Sequence, residues 1–213
     1  MVELFKRFST SLLLGLLLLI SLYHHHVLIM LLILILYQVI YEFNNIIKKI
    51  FIKNKFKQFL SLIFILFFVL YVIFFVWFSL ESENIENRRI FYIILTITIA
   101  SDIGGFIFGK LFKGKKLTKY SPNKTYSGMF GSYLLSFIIT FFLFKGIINY
   151  KDILFYSILT SSISQIGDLF ISYLKRKSKI KDTGRLIPGH GGILDRFDGI
   201  IFSIPLIIFI GNL

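Results

Sequence analysis

The chain has 213 residues, of which 56% are hydrophobic and 16% are charged, and its mean hydropathy is +0.79. Water-soluble domains usually carry about 45–50% apolar and about 25% charged residues, so this composition excludes a disordered chain and disfavours a soluble enzyme. The absence of cysteine excludes disulfides, cysteine-ligated zinc and a thiol nucleophile. The net charge of +13 is typical of nucleic-acid binders, but in a membrane protein the orientation of the loops explains it first.

The apolar segments predict an all-α polytopic membrane protein with about seven transmembrane helices. A helix that crosses about 30 Å of hydrocarbon needs about 20 apolar residues, and about 17 suffice at the lower limit. Seven stretches meet or approach this length: Phe8–Tyr23, Val27–Phe43, Phe59–Leu80, Ile90–Phe108, Ser127–Ile148, Ile153–Leu174 and Gly199–Leu213. The first resembles a signal peptide, but no small-residue cleavage site follows it, so we expect it to be retained.

The basic residues predict the orientation of these helices. With the N-terminus in the cytoplasm, 20 of the 24 lysines and arginines fall in cytoplasmic segments, and only Arg88, Arg89, Lys145 and Lys151 fall outside. Cytoplasmic loops of membrane proteins carry such an excess of basic residues. We therefore expect a multi-pass protein of the cell membrane with its polar active site on the cytoplasmic side. In the loop 44–57 lysine alternates with isoleucine and phenylalanine, which suits an interfacial helix.

A first polar stretch begins in the fourth predicted helix and continues into the loop behind it. Asp102 lies within an apolar helix, where a carboxylate is costly unless it is paired or binds a cation. Gly105 and Gly109 indicate close helix packing at least as strongly as a ligand role. In the loop, Ser121-Pro-Asn-Lys-Thr125 predicts a proline-set turn whose hydroxyls and lysine suit phosphate oxygens, although an ordinary helix-start turn has the same pattern.

The second polar stretch places three carboxylates within 31 residues, from Asp168 to Asp198. Asp195 and Asp198 stand three residues apart at the predicted start of the last helix, so we expect both carboxylates to project together. Such a pair repels unless a cation lies between them. Together with Asp168, and with no cysteine available, they predict a site for Mg²⁺ through oxygen ligands rather than a zinc site.

Basic residues and glycines surround these acids. The basic residues predict a clamp for polyphosphate: Lys175, Arg176, Lys181, Arg185 and Arg196. Glycines flank His190 and allow the backbone to approach phosphate groups closely, as at Gly191 and Gly192. Positive-inside charge alone explains the basic residues, but it does not explain the acids, the glycine pairs and the histidine together.

The segment Ser172–Asp198 resembles the signature of the phosphatidate cytidylyltransferases, also called CDP-diacylglycerol synthases. That signature reads S-x-x-K-R, a spacer, K-D, and then P-G-H-G-G-x-x-D-R-x-D, and every fixed position is present across 27 residues. The upstream Gly167-Asp168 and the Ser-Pro-x-Lys-Thr element are also similar to the family's. Two positions depart from it: Tyr126-Ser127 stands where many members have Trp-Glu, and Gly105-Phe106 where many have Ala-Tyr.

The resemblance implies transfer of a cytidylyl group from CTP to phosphatidate, which gives CDP-diacylglycerol and pyrophosphate for phospholipid biosynthesis. It implies the same cofactor, Mg²⁺, held by Asp168, Asp195 and Asp198, and leaves a second cation open. The catalytic residues that it implicates are Asp168, Lys175, Arg176, Lys181, Asp182, His190 and Arg196. The substrate-binding residues that we expect are Ser121, Lys124 and Thr125 from the resemblance, and Asp102, Arg185, Gly191 and Gly192 from the residue patterns described above.

The expected partners are therefore CTP, phosphatidate and the lipid bilayer, with no nucleic acid, and a homodimer is left open. We divide the chain into N-terminal transmembrane helices, residues 1–99, and a catalytic transmembrane region, residues 100–213, which carries the resemblance. Two alternatives stay open at this point. One is a related membrane nucleotidyl- or phosphotransferase that acts on an isoprenoid lipid. The other is a secondary transporter, a class in which buried charges and glycine-broken helices are common.

Overall fold

The regular secondary structure is helical throughout the residues that the structure describes. The computed structural model describes residues 25–81, 85–184 and 191–206. In chain order its elements are α1 (His25–Ile50), α2 (Lys55–Glu81), α3 (Ile85–Phe112), α4 (Tyr126–Phe144), α5 (Tyr150–Lys177), α6 (Leu194–Ser203) and a 3-10 turn (Ile204–Leu206). The predicted all-α class is confirmed for these residues.

The first five helices are long and apolar enough to cross a bilayer. The spans are Met30–Ile50, Lys55–Ser79, Ile85–Phe112, Tyr126–Phe144 and Tyr150–Lys177. Large apolar side chains cover their outer surfaces, and Phe64, Phe67 and Phe106 are each 69–70% exposed. A protein surrounded by water rarely exposes apolar surface on this scale, whereas lipid covers it readily. The chain is therefore a membrane protein.

Five of the seven predicted spans, the second to the sixth, coincide with α1 to α5. The first, Phe8–Tyr23, lies outside the described residues. The seventh begins inside α6, and only its first part, up to Leu206, lies within them. The total of seven spans stays a prediction.

The predicted interfacial helix at 44–57 is wrong. Instead, α1 continues through Ile50, and α2 begins at Lys55 after a short turn. Ile46 and Ile47 are 0% and 4% exposed, so packing extends the apolar face of α1 almost to its end. Lysines in the last turn of α1 also favour this length, because cations stabilise the negative end of a helix dipole.

The described residues form two compact units. One contains the residues up to Ile73 together with Leu174–Phe197, and the other contains Phe74–Tyr173 together with the residues from Asp198 on. These units follow compactness, whereas the predicted division between residues 99 and 100 follows the sequence signature and stays a prediction. Each polar arrangement described below lies within one unit.

In the second unit, α3 and α4 pack at close range through glycine. A Cβ atom on Gly104 would lie 2.4 Å from the carbonyl oxygen of Gly131, and one on Gly105 would lie 2.8 Å from Ser132 Oγ. Small residues let two helix backbones approach this closely in a membrane. The packing interpretation of Gly105 is confirmed, and the pair α3–α4 provides a close-packed base for the loop that joins them.

Candidate active site

The loop between α3 and α4 ends in a turn that caps α4. The Lys124 N–H donates to the Ser121 carbonyl at 3.1 Å. Thr125 then accepts a hydrogen bond from the Gly128 N–H at 3.1 Å, which satisfies one of the free amides of the first turn of α4. Gly109 on α3 leaves room for this cap, since a Cβ there would lie 3.2 Å from Thr125 Oγ1. The helix-start interpretation of this turn is confirmed, and its phosphate-binding role stays a prediction.

The same turn brings Lys124 to a carboxylate on α5. Lys124 Nζ lies 2.5 Å from Asp168 Oδ2, and the Asp168 side chain is 16% exposed. Asp102 on α3 is close enough to interact electrostatically with both groups. Three predicted site residues from α3, the loop and α5 are therefore brought together in the second unit.

The second oxygen of Asp168 has no protein partner among the described residues. Asp168 Oδ1 is buried without a hydrogen bond, and so is Ser164 Oγ, one turn earlier on α5. Gly199 makes room beside both atoms, since a Cβ there would lie 2.4 Å from Ser164 Oγ and 3.0 Å from Asp168 Oδ1. Buried polar oxygens are costly without a partner. Carboxylate and hydroxyl oxygens are ligands that Mg²⁺ prefers, so Asp168 fits the cation predicted for it.

A second lysine–carboxylate pair lies in the first unit, where the chain turns back after α5. Lys179 adopts a left-handed φ of +56°, and the Ser178 hydroxyl donates to the Leu174 carbonyl at 2.9 Å. This turn ends α5 just beyond Lys175, whose Nζ lies 2.7 Å from Asp195 Oδ1. The two side chains are 16% and 9% exposed, so little solvent separates their charges.

Asp195 is held on both carboxylate oxygens. Its Oδ2 accepts hydrogen bonds from the backbone N–H groups of Thr183 at 2.8 Å and Gly192 at 3.1 Å. Burial by itself raises the pKa of the Asp195 carboxyl. The hydrogen bonds from Lys175 and from these amides outweigh burial and leave the pKa below its ordinary value. Asp195 is therefore a fixed negative charge at neutral pH.

The sequence analysis missed Glu42, a fully buried acid near the end of α1. Its carboxylate accepts hydrogen bonds from the Thr183 hydroxyl at 2.5 Å and from the backbone N–H groups of Ile193 and Leu194 at 3.0 Å each. Gln38 Nε2 donates a fourth at 2.8 Å. The only available signal was a lone acid within an apolar run, and no spacing connects it with a loop about 140 residues later.

The local structure requires glycine at two positions of the second polar stretch. Gly191 has φ +85°, a conformation that residues with side chains rarely adopt. A Cβ on Gly192 would lie 2.2 Å from Thr183 Oγ1 and 2.3 Å from Glu42 Oε2, so the chain's own side chains fill that space. The predicted substrate contacts of both glycines stay predictions.

Six further predicted site residues fall into two groups. Arg176, Lys181, Asp182 and Arg196 are exposed. Arg185 and His190 lie outside the described residues.

The two acids at the start of α6 take different partners. Asp195 lies in the first turn of α6, which confirms its predicted position there, and Asp198 follows three residues later. Asp198 Oδ1 accepts a hydrogen bond from the Gly199 N–H at 3.0 Å, rather than from the groups that hold Asp195. Across residues 25–81, 85–184 and 191–206, no three acidic or histidine side chains are grouped as ligands of one ion. The three-carboxylate site stays a prediction.

Comparison with known proteins shows which family and which proteins this chain is similar to. The model of the cytidylyltransferase family matches residues 5–213. The chain is similar to phosphatidate cytidylyltransferases of several bacteria. It is 44% identical to that of Rickettsia felis over 137 residues, which cover 60% of each chain. It is 41% identical to that of Helicobacter pylori over 112 residues, which cover 52% of this chain and 42% of the relative. In Staphylococcus epidermidis the identity is 41% over 122 residues, covering 54% and 47%. The matched segments thus span at most 60% of these three relatives.

Proposed function

We propose that this chain, which belongs to the cytidylyltransferase family, transfers the cytidylyl group of CTP to phosphatidate and releases CDP-diacylglycerol and pyrophosphate. The names of its bacterial relatives support this reaction. The observation that carries the proposal is the pair Lys175–Asp195. These residues belong to opposite ends of the S-x-x-K-R to D-R-x-D signature, and their side chains meet at 2.7 Å.

The proposed chemistry needs alignment and charge neutralisation more than it needs a strong base. A phosphate oxygen of phosphatidate attacks the α-phosphorus of CTP, the bond between the α- and β-phosphates breaks, and pyrophosphate leaves. Phosphatidate already carries an ionised phosphate at neutral pH, so no proton has to be removed from the nucleophile. Catalysis then rests on holding two polyanions together, a task that suits lysine, arginine and the fixed dipoles of backbone amides.

The residues proposed for these tasks are those of the two polar stretches. Lys124 and Lys175, each paired with a carboxylate, would balance the charge of the triphosphate and of the lipid phosphate. Asp168, Asp195 and Asp198 would hold Mg²⁺, which supplies further neutralisation of the triphosphate when it is bound. Asp168 Oδ1 has no hydrogen-bond partner in the described part of the chain, which supports this assignment.

The proposal includes an orientation in the membrane. With seven spans and a cytoplasmic N-terminus, both polar stretches face the cytoplasm, where CTP is made. Reporter fusions at Gly114 and Gly184 test this orientation. Both are expected to report a cytoplasmic position, and an external signal at either would contradict it.

The activity is tested with the purified full chain in micelles and CTP labelled at the α-phosphate. Label is expected in a lipid product when phosphatidate is present, with little product from ATP. An isoprenyl phosphate in a parallel reaction tests the alternative acceptor, and label transfer to that lipid alone would establish the isoprenoid reaction instead. Asp195→Asn serves as the inactive control. The transporter alternative loses its support, because the chain belongs to a family of nucleotidyl-transferring enzymes.

A further inference from the structure

We propose that Glu42 is a positioning residue that holds Thr183 and the first turn of α6 in place, and through them the carboxylate of Asp195. This inference rests on the proposed function, because it assigns Asp195 to the reaction. All the residues concerned lie in the first unit. Glu42 comes from α1, far outside the signature in sequence, and its role is carried by contacts alone.

Most of the hydrogen bonds to the Glu42 carboxylate come from Thr183 and from the start of α6. The side chain is 0% exposed, and its two oxygens accept four hydrogen bonds. Three of the four donors belong to the segment from Thr183 to Leu194, and the fourth is the neighbouring Gln38. All of the donors to Glu42 within residues 25–81, 85–184 and 191–206 are neutral, and several well-made hydrogen bonds offset the high desolvation cost of such a buried carboxylate.

Thr183 connects Glu42 with Asp195. The Thr183 hydroxyl lies 2.5 Å from Glu42 Oε2 and 3.0 Å from Asp195 Oδ2. One hydroxyl has one proton to donate, and the shorter distance assigns that proton to Glu42. The backbone N–H of the same residue donates to Asp195 Oδ2 at 2.8 Å. Thr183 is therefore bound by its side chain to one carboxylate and by its backbone to the other.

Two glycines, Gly184 and Gly192, leave room for the Glu42 carboxylate. A Cβ on Gly184 would lie 2.6 Å from Glu42 Oε1, and a Cβ on Gly192 would lie 2.3 Å from Glu42 Oε2. At both positions the Glu42 carboxylate occupies the space in which a Cβ atom would lie. At the same time, the N–H groups of Ile193 and Leu194 are among the free donors at the start of α6, and an acid at that end of a helix is favourable.

Glu42→Gln is the sharpest test, because it preserves the size of the side chain. Glu42 Oε1 accepts from the Ile193 N–H and Oε2 accepts from the Leu194 N–H. An amide has one oxygen and one NH₂ group, so either orientation turns an NH₂ group towards one of these backbone N–H groups. We expect kcat to fall by roughly 10- to 100-fold, since misalignment of groups that act in the transition state has effects of this size. The KM for CTP should change by less than about threefold, because the Glu42 side chain is fully buried and its oxygens are bonded to protein donors.

A measurement without CTP or Mg²⁺ separates this inference from the proposed function. Hydrogen–deuterium exchange of the apo protein in micelles should be faster in Glu42→Gln at residues 179–184 and 191–197, and unchanged in α4. This outcome is independent of whether the wild type turns over CTP. An inactive wild type would contradict the proposed function, and the exchange data would still decide whether Glu42 holds the loop.

Thr183 supplies the second variant and the coupling test. Thr183→Val keeps the shape and removes the hydroxyl, so it should lower kcat and raise exchange as Glu42→Gln does, whereas Thr183→Ser should retain both near wild type. The double variant should be little worse than either single one, because both remove the same connection. If Glu42→Gln does not fold, the Val and Ser variants decide the question. Glu86→Gln, an exposed acid on α3, is the matched control and should behave as wild type.

Two results would overturn the inference. One is a Glu42→Gln protein with unchanged exchange and kcat. The other is a protein that unfolds more readily while kcat stays within about twofold of wild type, which would make Glu42 a stabilising residue only.

Discussion

The pairs Lys124–Asp168 and Lys175–Asp195 consist of the same two residue types at nearly the same distance, but their carboxylates are held differently. Asp195 uses both oxygens, since the lysine takes Oδ1 and two backbone amides take Oδ2. Asp168 uses only Oδ2, and its Oδ1 is buried without a protein partner in the described part of the chain. The protein thus binds both oxygens of Asp195, whereas Asp168 has one oxygen that no described group binds, as the proposed cation site would require.

The largest effect is expected at the fully held carboxylate. Asp195→Asn should lower turnover at least about 10³-fold, because charge neutralisation by a bound cation is worth several kcal/mol and each ~1.4 kcal/mol is tenfold. It should also lower the free energy of unfolding by about 1–3 kcal/mol, since an amide cannot accept from all of its present donors. Turnover with labelled CTP and the thermal midpoint in detergent measure the two effects. Near-normal turnover that resists EDTA would show that the carboxylate has no role in binding a cation.

Asp168→Asn should reduce turnover on a similar scale and leave the thermal midpoint unchanged or higher. The substitution removes a partly buried charge with one unsatisfied oxygen, and a neutral amide is less costly to bury. EDTA should reproduce its effect on the wild type, and Mg²⁺ should restore only the wild type. A loss of stability equal to that of Asp195→Asn would remove the distinction between the two pairs.

Substitution of the two lysines tests the same difference between the two pairs. Lys124→Met leaves Asp168 with no bonded partner among the described residues, whereas Lys175→Met leaves Asp195 with its backbone amides. After allowance for partial exposure, Lys124→Met should cost roughly 1–3 kcal/mol of stability and Lys175→Met less. Adding Asp168→Asn to Lys124→Met should restore the midpoint, because the stranded charge is removed. Equal losses in the two single variants would contradict this order.

The smallest effect is expected at Asp152, an acid in the first turn of α5. Asp152→Asn should leave turnover within about twofold, because this residue belongs to neither pair. Loss of its favourable interaction with the helix dipole should cost at most about 1 kcal/mol. A large loss of turnover would mean that the residues named here do not account for the reaction.

Sequence reasoning succeeded where the determining interactions are local. Apolar length predicted α1 to α5, and the Ser-Pro-x-Lys-Thr pattern predicted the turn that caps α4, because each depends on neighbours within a few residues. Spacing along one helix likewise placed Asp195 in the first turn of α6. The end of α1 was missed because the burial of Ile46 and Ile47 depends on packing, which the alternation of lysine with isoleucine and phenylalanine does not show.

Contacts between segments far apart in the sequence could not be predicted from the spacing of residues. The sequence identified Lys124 and Asp168 separately, but 44 residues and a helix connection separate them, and only the packing of the second unit brings them together. Asp195 and Asp198 were expected to project together around a cation, and that site stays a prediction; the backbone N–H groups of Gly192 and Gly199 that donate to them were not expected. Glu42 was missed for the same reason, since nothing in α1 indicates which loop its carboxylate will meet.

The separation of Glu42 from Thr183 also determines when the two can meet during synthesis. They are 141 residues apart, and a ribosome that adds about 5–20 residues per second needs roughly 7–30 s to cover that distance. Until then, Gln38 is the only one of the four donors that has been made. α1 therefore enters the membrane before three of the four donors to this acid have been made; for comparison, an aspartate at the centre of a membrane helix costs roughly 2.5–3.5 kcal/mol to insert. The nascent protein can form all four hydrogen bonds to Glu42 only after Leu194 has left the ribosome. α1, the first described helix to be made, is therefore among the last to gain its full set of contacts.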